Sequence, residues 1–126
     1  MYILEFHERP MTANKYRTLH YHARADYDRR WRQAGHWMAK AAKVPRCEAI
    51  GIDVEVVWKR PSGPDIAACA ETVKAIKDGI VDAGVIVDDR SPYIVWETYH
   101  DPVRGEADLL RIILTPTNPG RRQGWE

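Results

Sequence analysis

The chain has 126 residues, of which 44% are hydrophobic and 29% charged, the composition of a globular protein with room for one core. No apolar run approaches the roughly 20 residues of a membrane-spanning helix, and the N-terminal residues lack the basic start of a signal peptide, so we expect a cytoplasmic protein without membrane contact. The net charge of +1 combines a basic first half, with 12 Lys and Arg against 7 Asp and Glu in residues 1–60, and an acidic second half, with 7 against 11.

The first half of the chain contains a predicted strand, a loop and a long helix. The apolar run Tyr2–Phe6 predicts a short β-strand, and Pro10 and Asn14 indicate a loop after it. Apolar side chains then recur every three or four residues between residues 26 and 42, which is the period of an amphipathic helix: Tyr27, Trp31, Ala34, Met38 and Ala41. The other faces of this helix are basic.

The second half contains a strand, a second helix and two further strands. Residues 49–60 alternate apolar and polar side chains, which predicts a strand with one buried face. A helix is predicted over residues 70–83, with Gly84 as its C-terminal stop. Residues 93–100 and 108–116 flank a connection that contains Pro and Gly, and we expect them to pair as an antiparallel hairpin.

The element order β-α-β-α-β-β predicts an α+β fold, in which two helices pack on a small mixed β-sheet. We expect residues 1–116 to form a single domain and residues 117–126, which contain few apolar side chains, to form a flexible C-terminal tail. Cys47 and Cys69 have no metal-type spacing, so each is expected to be a small buried residue that stays reduced in the cytoplasm.

Three carboxylates bracket the second helix: Asp65 precedes it, and Asp88 and Asp89 follow it. One interpretation is structural, because Asp caps helix starts and stabilises turns. The other is functional. A helix over residues 70–83 is roughly 20 Å long at 1.5 Å per residue, and the steps from Gly84 to Asp89 can return about 17 Å, which brings Asp89 beside the helix start.

Clustered carboxylates of this kind are usual ligands of Mg²⁺, which keeps several waters and bridges to phosphate oxygens. A metal ion so held hydrolyses phosphodiesters by activating water and by stabilising the charge on the attacked phosphate. Lys74, on the helix, can add a positive charge to such a site. Its structural alternative is an ion pair with Glu71, three residues earlier on a solvated helix face.

Two segments of this region carry a family resemblance: the basic strand end WKRPSGPD, and the end of the helix with its return, DGIVDAGVIVDD. Together they resemble the RusA family of Holliday-junction resolvases, and the loop RPMTANKYR and the basic helix with WRQA agree with it. The resemblance covers about residues 5–115 and is most specific over residues 72–89. It implies a homodimeric endonuclease of DNA recombination and repair, in a bacterial or phage-infected cell, that uses Mg²⁺ (or Mn²⁺) and no small-molecule cofactor to cut four-way DNA junctions.

The resemblance also implies roles for individual residues. In the family, an Asp-x-Asp-Asn motif, a helix Lys and the second Asp of an Asp-Asp pair form the active site. Asp65 matches the first Asp of the motif, Lys74 the Lys and Asp89 the last Asp, and Asp88 adjoins it.

The motif departs from the family pattern, since it reads DIAA here: Ala67 stands where the second Asp belongs and Ala68 where the Asn belongs. Glu71, one helical turn beyond Ala67, is the nearest carboxylate that can substitute. The expected catalytic residues are therefore Asp65, Lys74, Asp88, Asp89 and Glu71, and the expected metal ligands are Asp65, Asp88, Asp89 and Glu71.

Contacts to DNA are expected to come from charge, because phosphate contacts position a nucleic acid without reading its sequence. The expected DNA-binding residues lie in loops, at strand ends and on the basic helix: Asn14, Lys15, Arg17, Arg24, Lys59 and Arg60. Two alternatives stay open. One is a DNA-binding module on the same fold that cuts slowly or not at all, and the other is a small oligomeric protein whose acids are only caps and turns.

Overall fold

A computed structural model describes residues 1–60 and 68–119 as a mixed α+β fold with five strands and three helices. The fold class expected from the element order is confirmed, with one short helix and one short strand added. In chain order the elements are β1 (Tyr2–Phe6), α1 (Ala13–Arg17), α2 (Tyr21–Ala41), β2 (Ala49–Trp58), α3 (Ala70–Asp82), β3 (Ile94–Tyr99), β4 (Val103–Arg104) and β5 (Leu109–Thr117).

The strands form one sheet in the order β1-β5-β2-β3, and β4 pairs with the end of β2. β5 is antiparallel to both of its neighbours, so Ile112 lies opposite Leu4 on one side and opposite Val54 on the other. β3 and β4 are parallel to β2. β5 and β2 are therefore the central strands.

The prediction that residues 93–100 and 108–116 pair as an antiparallel hairpin is wrong. β3 pairs with one side of β2 and β5 pairs with the other, so β2 separates the two strands. The physical reason is the helix between β2 and β3, because a strand, a crossover helix and a second strand run the chain back in the same direction. Pro102 and Gly105 flank β4 and do not close a tight turn.

The core lies on one face of the sheet. Alternate strand residues are buried there, as a period of two predicts: Leu4, Phe6, Ile52, Val54, Val56, Leu110, Ile112 and Leu114. Trp31 of α2 and Ile76 and Ile80 of α3 belong to the same buried cluster. Full burial of such a side chain contributes roughly 1.5–3 kcal/mol, so this layer dominates the stability. Cys47 and Cys69 are buried and free of disulfides, as expected.

The two helices before β2 differ from the sequence prediction. α2 begins at Tyr21, five residues before the predicted start. The apolar period did not indicate this first turn, because residues 21–23 are exposed. α1 lies inside the predicted loop. It is a single short helix whose first turn is capped by Thr12, where the side-chain oxygen accepts a hydrogen bond from the Lys15 N–H at 3.3 Å.

No helix within residues 1–60 and 68–119 combines the length and apolarity that crossing a bilayer requires. β5 ends at Thr117, next to the expected domain boundary at residue 116. Residues 120–126 of the expected tail lie outside the described residues, and so do Asp65 and Ala67.

Candidate functional site

Three charged side chains of α3 face one cleft. Glu71, Lys74 and Asp78 are three and four residues apart, so they lie on one face of the helix. The cleft has a volume of about 420 Å³, and the charged and aromatic part of its lining consists of Tyr16, Asp28, Arg29, Arg32, Glu71, Lys74 and Asp78. We call it the carboxylate cleft.

Two glycines allow α2 and α3 to approach closely enough to form this cleft. A Cβ atom at Gly79 would collide with the carbonyl oxygen of Arg32, and one at Gly35 would stand 2.7 Å from the carbonyl oxygen of Ile76. Only glycine fits such a backbone contact without a shift of one helix. Since Gly79 follows Asp78 in the chain, the contact brings Arg32 next to the acids of α3.

Asp89 approaches Asp78 from the loop that follows α3. Its carboxyl group lies within hydrogen-bonding reach of the carboxyl group of Asp78. Burial raises the pKa of Asp78 above its ordinary value of 3.8, Lys74 opposes this shift, and Asp89 adds to it through its charge and the hydrogen bond. Asp78 therefore holds a proton more readily than an isolated carboxyl group does.

The loop returns Asp89 to the third turn of α3 and not to its first turn, where the length argument placed it. Asp78 is eight residues beyond Ala70, which is roughly 12 Å along the axis at 1.5 Å per residue. The loop is not extended, because Val85 and Ile86 are buried in the core and the carbonyl of Val85 accepts a hydrogen bond from the N–H of Cys47 at 2.7 Å.

Asp88 holds the loop in shape. One of its carboxylate oxygens accepts a hydrogen bond from the backbone N–H of Asp89 at 2.7 Å, and the other accepts one from Nε of Arg90 at 2.8 Å. The hydrogen bond from Arg90 lowers the pKa of Asp88. These are the contacts of an Asp that stabilises a turn. The structural interpretation of the paired acids therefore fits Asp88, whereas Asp89 reaches Asp78, which lines the cleft.

Lys74 and Glu71 do not form the ion pair that was the structural alternative for them. Lys74 is exposed and its charge acts on Asp78. Glu71 acts on Tyr16, whose pKa rises to about 12 mainly through burial and a hydrogen bond to Asp28. Both side chains thus face the cleft.

The remaining walls carry groups that already have partners. The Tyr16 hydroxyl donates to the two oxygens of Asp28 at 3.0 and 2.8 Å. Arg32 donates to Asp82 from Nε at 2.6 Å and from Nη2 at 2.8 Å, and this pair is half exposed. The bidentate contact holds one guanidinium group at the edge of the cleft.

The carboxylates supply only some of the ligands that a metal ion needs. Among residues 1–60 and 68–119, no three His, Cys, Asp or Glu side chains converge to form a metal site. Asp78 and Asp89 nevertheless form a carboxyl pair, and Mg²⁺ usually takes one or two carboxylates and keeps several waters. The donor chemistry therefore fits Mg²⁺ at this pair, with Glu71 on the same cleft wall.

The expected DNA-binding residues separate into different environments. Lys15 and Arg60 line a second cleft. Asn14 accepts a hydrogen bond from Nη1 of Arg17 at 3.3 Å on the exposed side of α1, and Lys59 is exposed after the end of β2.

Arg24 is fixed by structural contacts. Its Nη2 donates to the carbonyl of Leu19 at 3.2 Å, and its guanidinium carbon lies 5.4 Å from the centre of the Tyr16 ring. The side chain is half-buried. Arg24 thus supports the position of Tyr16 at the edge of the carboxylate cleft.

Asp78 is the site residue that the sequence prediction missed. It lies four residues after Lys74, on the same helix face, and this spacing was available in the sequence. Tyr16 and Asp28 were missed as well, but only the packing of α1 and α2 against α3 brings them to the cleft.

Comparison of the sequence with protein-family models gives no match, and comparison with curated proteins gives none either. The resemblance to the RusA family therefore stands on the residues quoted above.

Proposed function

We propose that the protein is a metal-dependent endonuclease of the RusA type, which hydrolyses phosphodiester bonds at four-way DNA junctions. One observation carries the proposal: Asp78 and Lys74 line a single cleft, and Asp89 lies close enough to Asp78 to act on its carboxyl group. A partly buried carboxyl group with a raised pKa, beside a lysine in a concave site, is typical of active sites.

Asp78 and Asp89 would hold the Mg²⁺, with Glu71 as the further carboxylate in reach of the cleft. When bound, the metal supplies an activated water and positive charge at the attacked phosphate. Binding a cation would compete with protonation of Asp78, because only deprotonated carboxylates act as ligands. The candidate ligand set therefore contains Asp78 in place of Asp88, because the carboxylate of Asp88 holds the loop.

Lys74 would bind a nonbridging phosphate oxygen. Its side chain is exposed and has no ion pair in the part of the chain that the structure describes. Arg32 stands at the edge of the same cleft, where its bidentate contact with Asp82 keeps the guanidinium in one orientation. A positive charge held in advance costs little reorganisation when the transition state forms.

The partners follow from the resemblance: a four-way DNA junction and a second copy of the chain, in the cytoplasm of a bacterial or phage-infected cell. Mn²⁺ is expected to replace Mg²⁺.

The proposal is tested by incubating the protein with a synthetic four-way junction in Mg²⁺, in Mn²⁺ and in EDTA. We expect paired nicks with either metal and none in EDTA. Asp89→Asn should lower the cleavage rate by more than about 100-fold, beyond what the loss of a supporting residue costs, and should leave junction binding intact. Unchanged cutting by this variant would overturn the proposal.

A second candidate function is junction binding without cleavage. It is favoured by Ala67 in place of the family Asp and by the absence of a three-residue metal site within residues 1–60 and 68–119. A wild-type protein that retards the junction in a gel, but yields no nicks with Mg²⁺ or Mn²⁺, would support this function over the first.

A further inference from the structure

A second cleft adjoins the carboxylate cleft across a pair of tyrosines. Tyr16 lines the carboxylate cleft and Tyr27 lines the second one. The two rings pack edge to face, with their centres 5.9 Å apart, so the tyrosine pair forms the wall between the clefts. The second cleft has a volume of about 470 Å³, and we call it the basic cleft.

The lining of the basic cleft has unmatched positive charge. Four cations and one carboxylate line it: Arg9, Lys15, Arg30, Arg60 and Glu8. Arg30 pairs with Glu8 at 2.7 Å, and Arg9 pairs with Asp108 at 2.9 Å. Lys15 and Arg60 form no ion pair among the described residues, and Arg60 acts on Asp108 only through its charge, so both side chains can bind a ligand.

The basic cleft is also built on fixed groups. Trp58 and Tyr27 contribute an apolar part of its lining and are only 5% and 8% exposed. The Arg9 guanidinium lies 5.2 Å from the centre of the Trp58 ring and is held by two hydrogen bonds to Asp108, at 3.1 and 2.9 Å. The buried indole N–H of Trp58 has no acceptor in the described part of the chain.

We propose that the basic cleft binds the sugar-phosphate backbone of a nucleic-acid strand, as a site separate from the carboxylate cleft. A strand presents one negative charge per nucleotide. Two phosphates of one strand would therefore balance the two cations, Lys15 from α1 and Arg60 from the residues after β2. The choice of a nucleic acid as partner rests on the proposed function, but the site requires neither the metal nor Asp89.

The experiment uses a short fluorescein-labelled oligothymidylate in EDTA, with binding followed by fluorescence anisotropy over a range of salt concentrations. For a single strand, each phosphate neutralised contributes about 0.7 to the slope of log affinity against log salt. Lys15→Gln and Arg60→Gln should each reduce the slope by about this amount. Both side chains are exposed, so the variants should unfold at the wild-type temperature.

Lys40→Gln is the matched control. Lys40 is exposed and lies ten residues beyond Arg30 on α2, roughly 15 Å farther along the helix. Its variant should keep the wild-type slope. Wild-type slopes in both Lys15→Gln and Arg60→Gln would overturn the site, and an equal reduction in Lys40→Gln would do so as well, because it would indicate attraction by net charge alone.

Asp89→Asn distinguishes this site from the proposed activity. An unchanged slope in that variant supports two separate sites. A protein that never cuts junctions, but whose strand binding depends on Lys15 and Arg60, would refute the proposed activity and support the basic cleft.

Discussion

Asp78 of α3 and Asp89 of the following loop hold their carboxyl groups within hydrogen-bonding reach, although eleven residues separate them. They meet because α3 ends at Asp82 and the buried residues Val85 and Ile86 anchor the return of the chain. The buried residues of the loop therefore fix the position of Asp89 relative to Asp78. The surroundings of Asp78 in the cleft set its pKa.

Asp78→Asn is expected to raise the thermal stability at neutral pH. The folded protein raises the pKa of Asp78, so its ionised form costs free energy that it does not cost in the unfolded chain. The stability contribution of the wild-type carboxyl group is fully present below its ordinary pKa of 3.8 and is lost as the pH rises through the folded pKa.

Unfolding temperatures of the wild type and Asp78→Asn, measured from about pH 3 to pH 8, check this sign. The variant should be the more stable protein at neutral pH, and the difference should shrink in acid. A difference that grows in acid would contradict the shifted pKa.

The cleft acids should differ in their effect on cleavage. Asp89→Asn removes a carboxylate of the central pair, and Glu71→Gln removes one on the wall, so Glu71→Gln should lower the rate by roughly 10- to 100-fold and raise the Mg²⁺ requirement. Asp88→Asn keeps an oxygen that accepts the Asp89 N–H and should have the smallest effect. Initial rates over a Mg²⁺ titration give the order, and an Asp88→Asn protein as inactive as Asp89→Asn would exclude this assignment.

Gly79→Ala should destabilise the protein because the added methyl group collides with the backbone of Arg32. Overpacking against a backbone costs roughly 3 kcal/mol. Gly84→Ala is the matched control: its φ is +84° but nothing lies within 4 Å of the added atom, so it should cost about 1–2 kcal/mol from backbone strain alone. Urea denaturation measures both free energies of unfolding. The reverse order would mean that α2 and α3 can separate at little cost.

Tyr27→Phe removes a hydroxyl that links α2 to α3 and to the loop before α1. The oxygen accepts a hydrogen bond from the N–H of Met11 at 2.8 Å and shares another with the fully buried Thr72. Unpaired buried groups remain in the variant, so we expect a loss of roughly 1–3 kcal/mol in the free energy of unfolding.

Tyr16→Phe serves as the control for Tyr27→Phe in the same denaturation experiment. It removes hydrogen bonds to Asp28, which is only half-buried and can turn to water, so the loss should be about 1 kcal/mol or less. Equal losses in the two variants would show that the buried position of the Tyr27 hydroxyl is unimportant.

The local elements followed closely from the sequence, since β1 and the core residues of β2 and α3 lie where the apolar periods predict them. The pairing of β3 did not, because a period of two tells which face of a strand is buried and says nothing about its partner. The same limit applies to the site. The motif predicts Lys74 and Asp89 as site residues, whereas the partner of Asp89 depends on how far the loop after α3 returns.

β5 lies between β1 and β2, although it follows the other four strands of the described residues in the chain. The sheet is therefore continuous only after β1 has paired with β5, which places Tyr2 opposite Leu114. Contacts between positions so far apart in sequence slow folding, and a chain still being synthesised exposes the apolar faces of β1 and β2 until residues 109–117 have left the ribosome. β5 is the strand that joins β1 to β2, so a chain shortened before Leu109 would leave β1 without a neighbour and should aggregate.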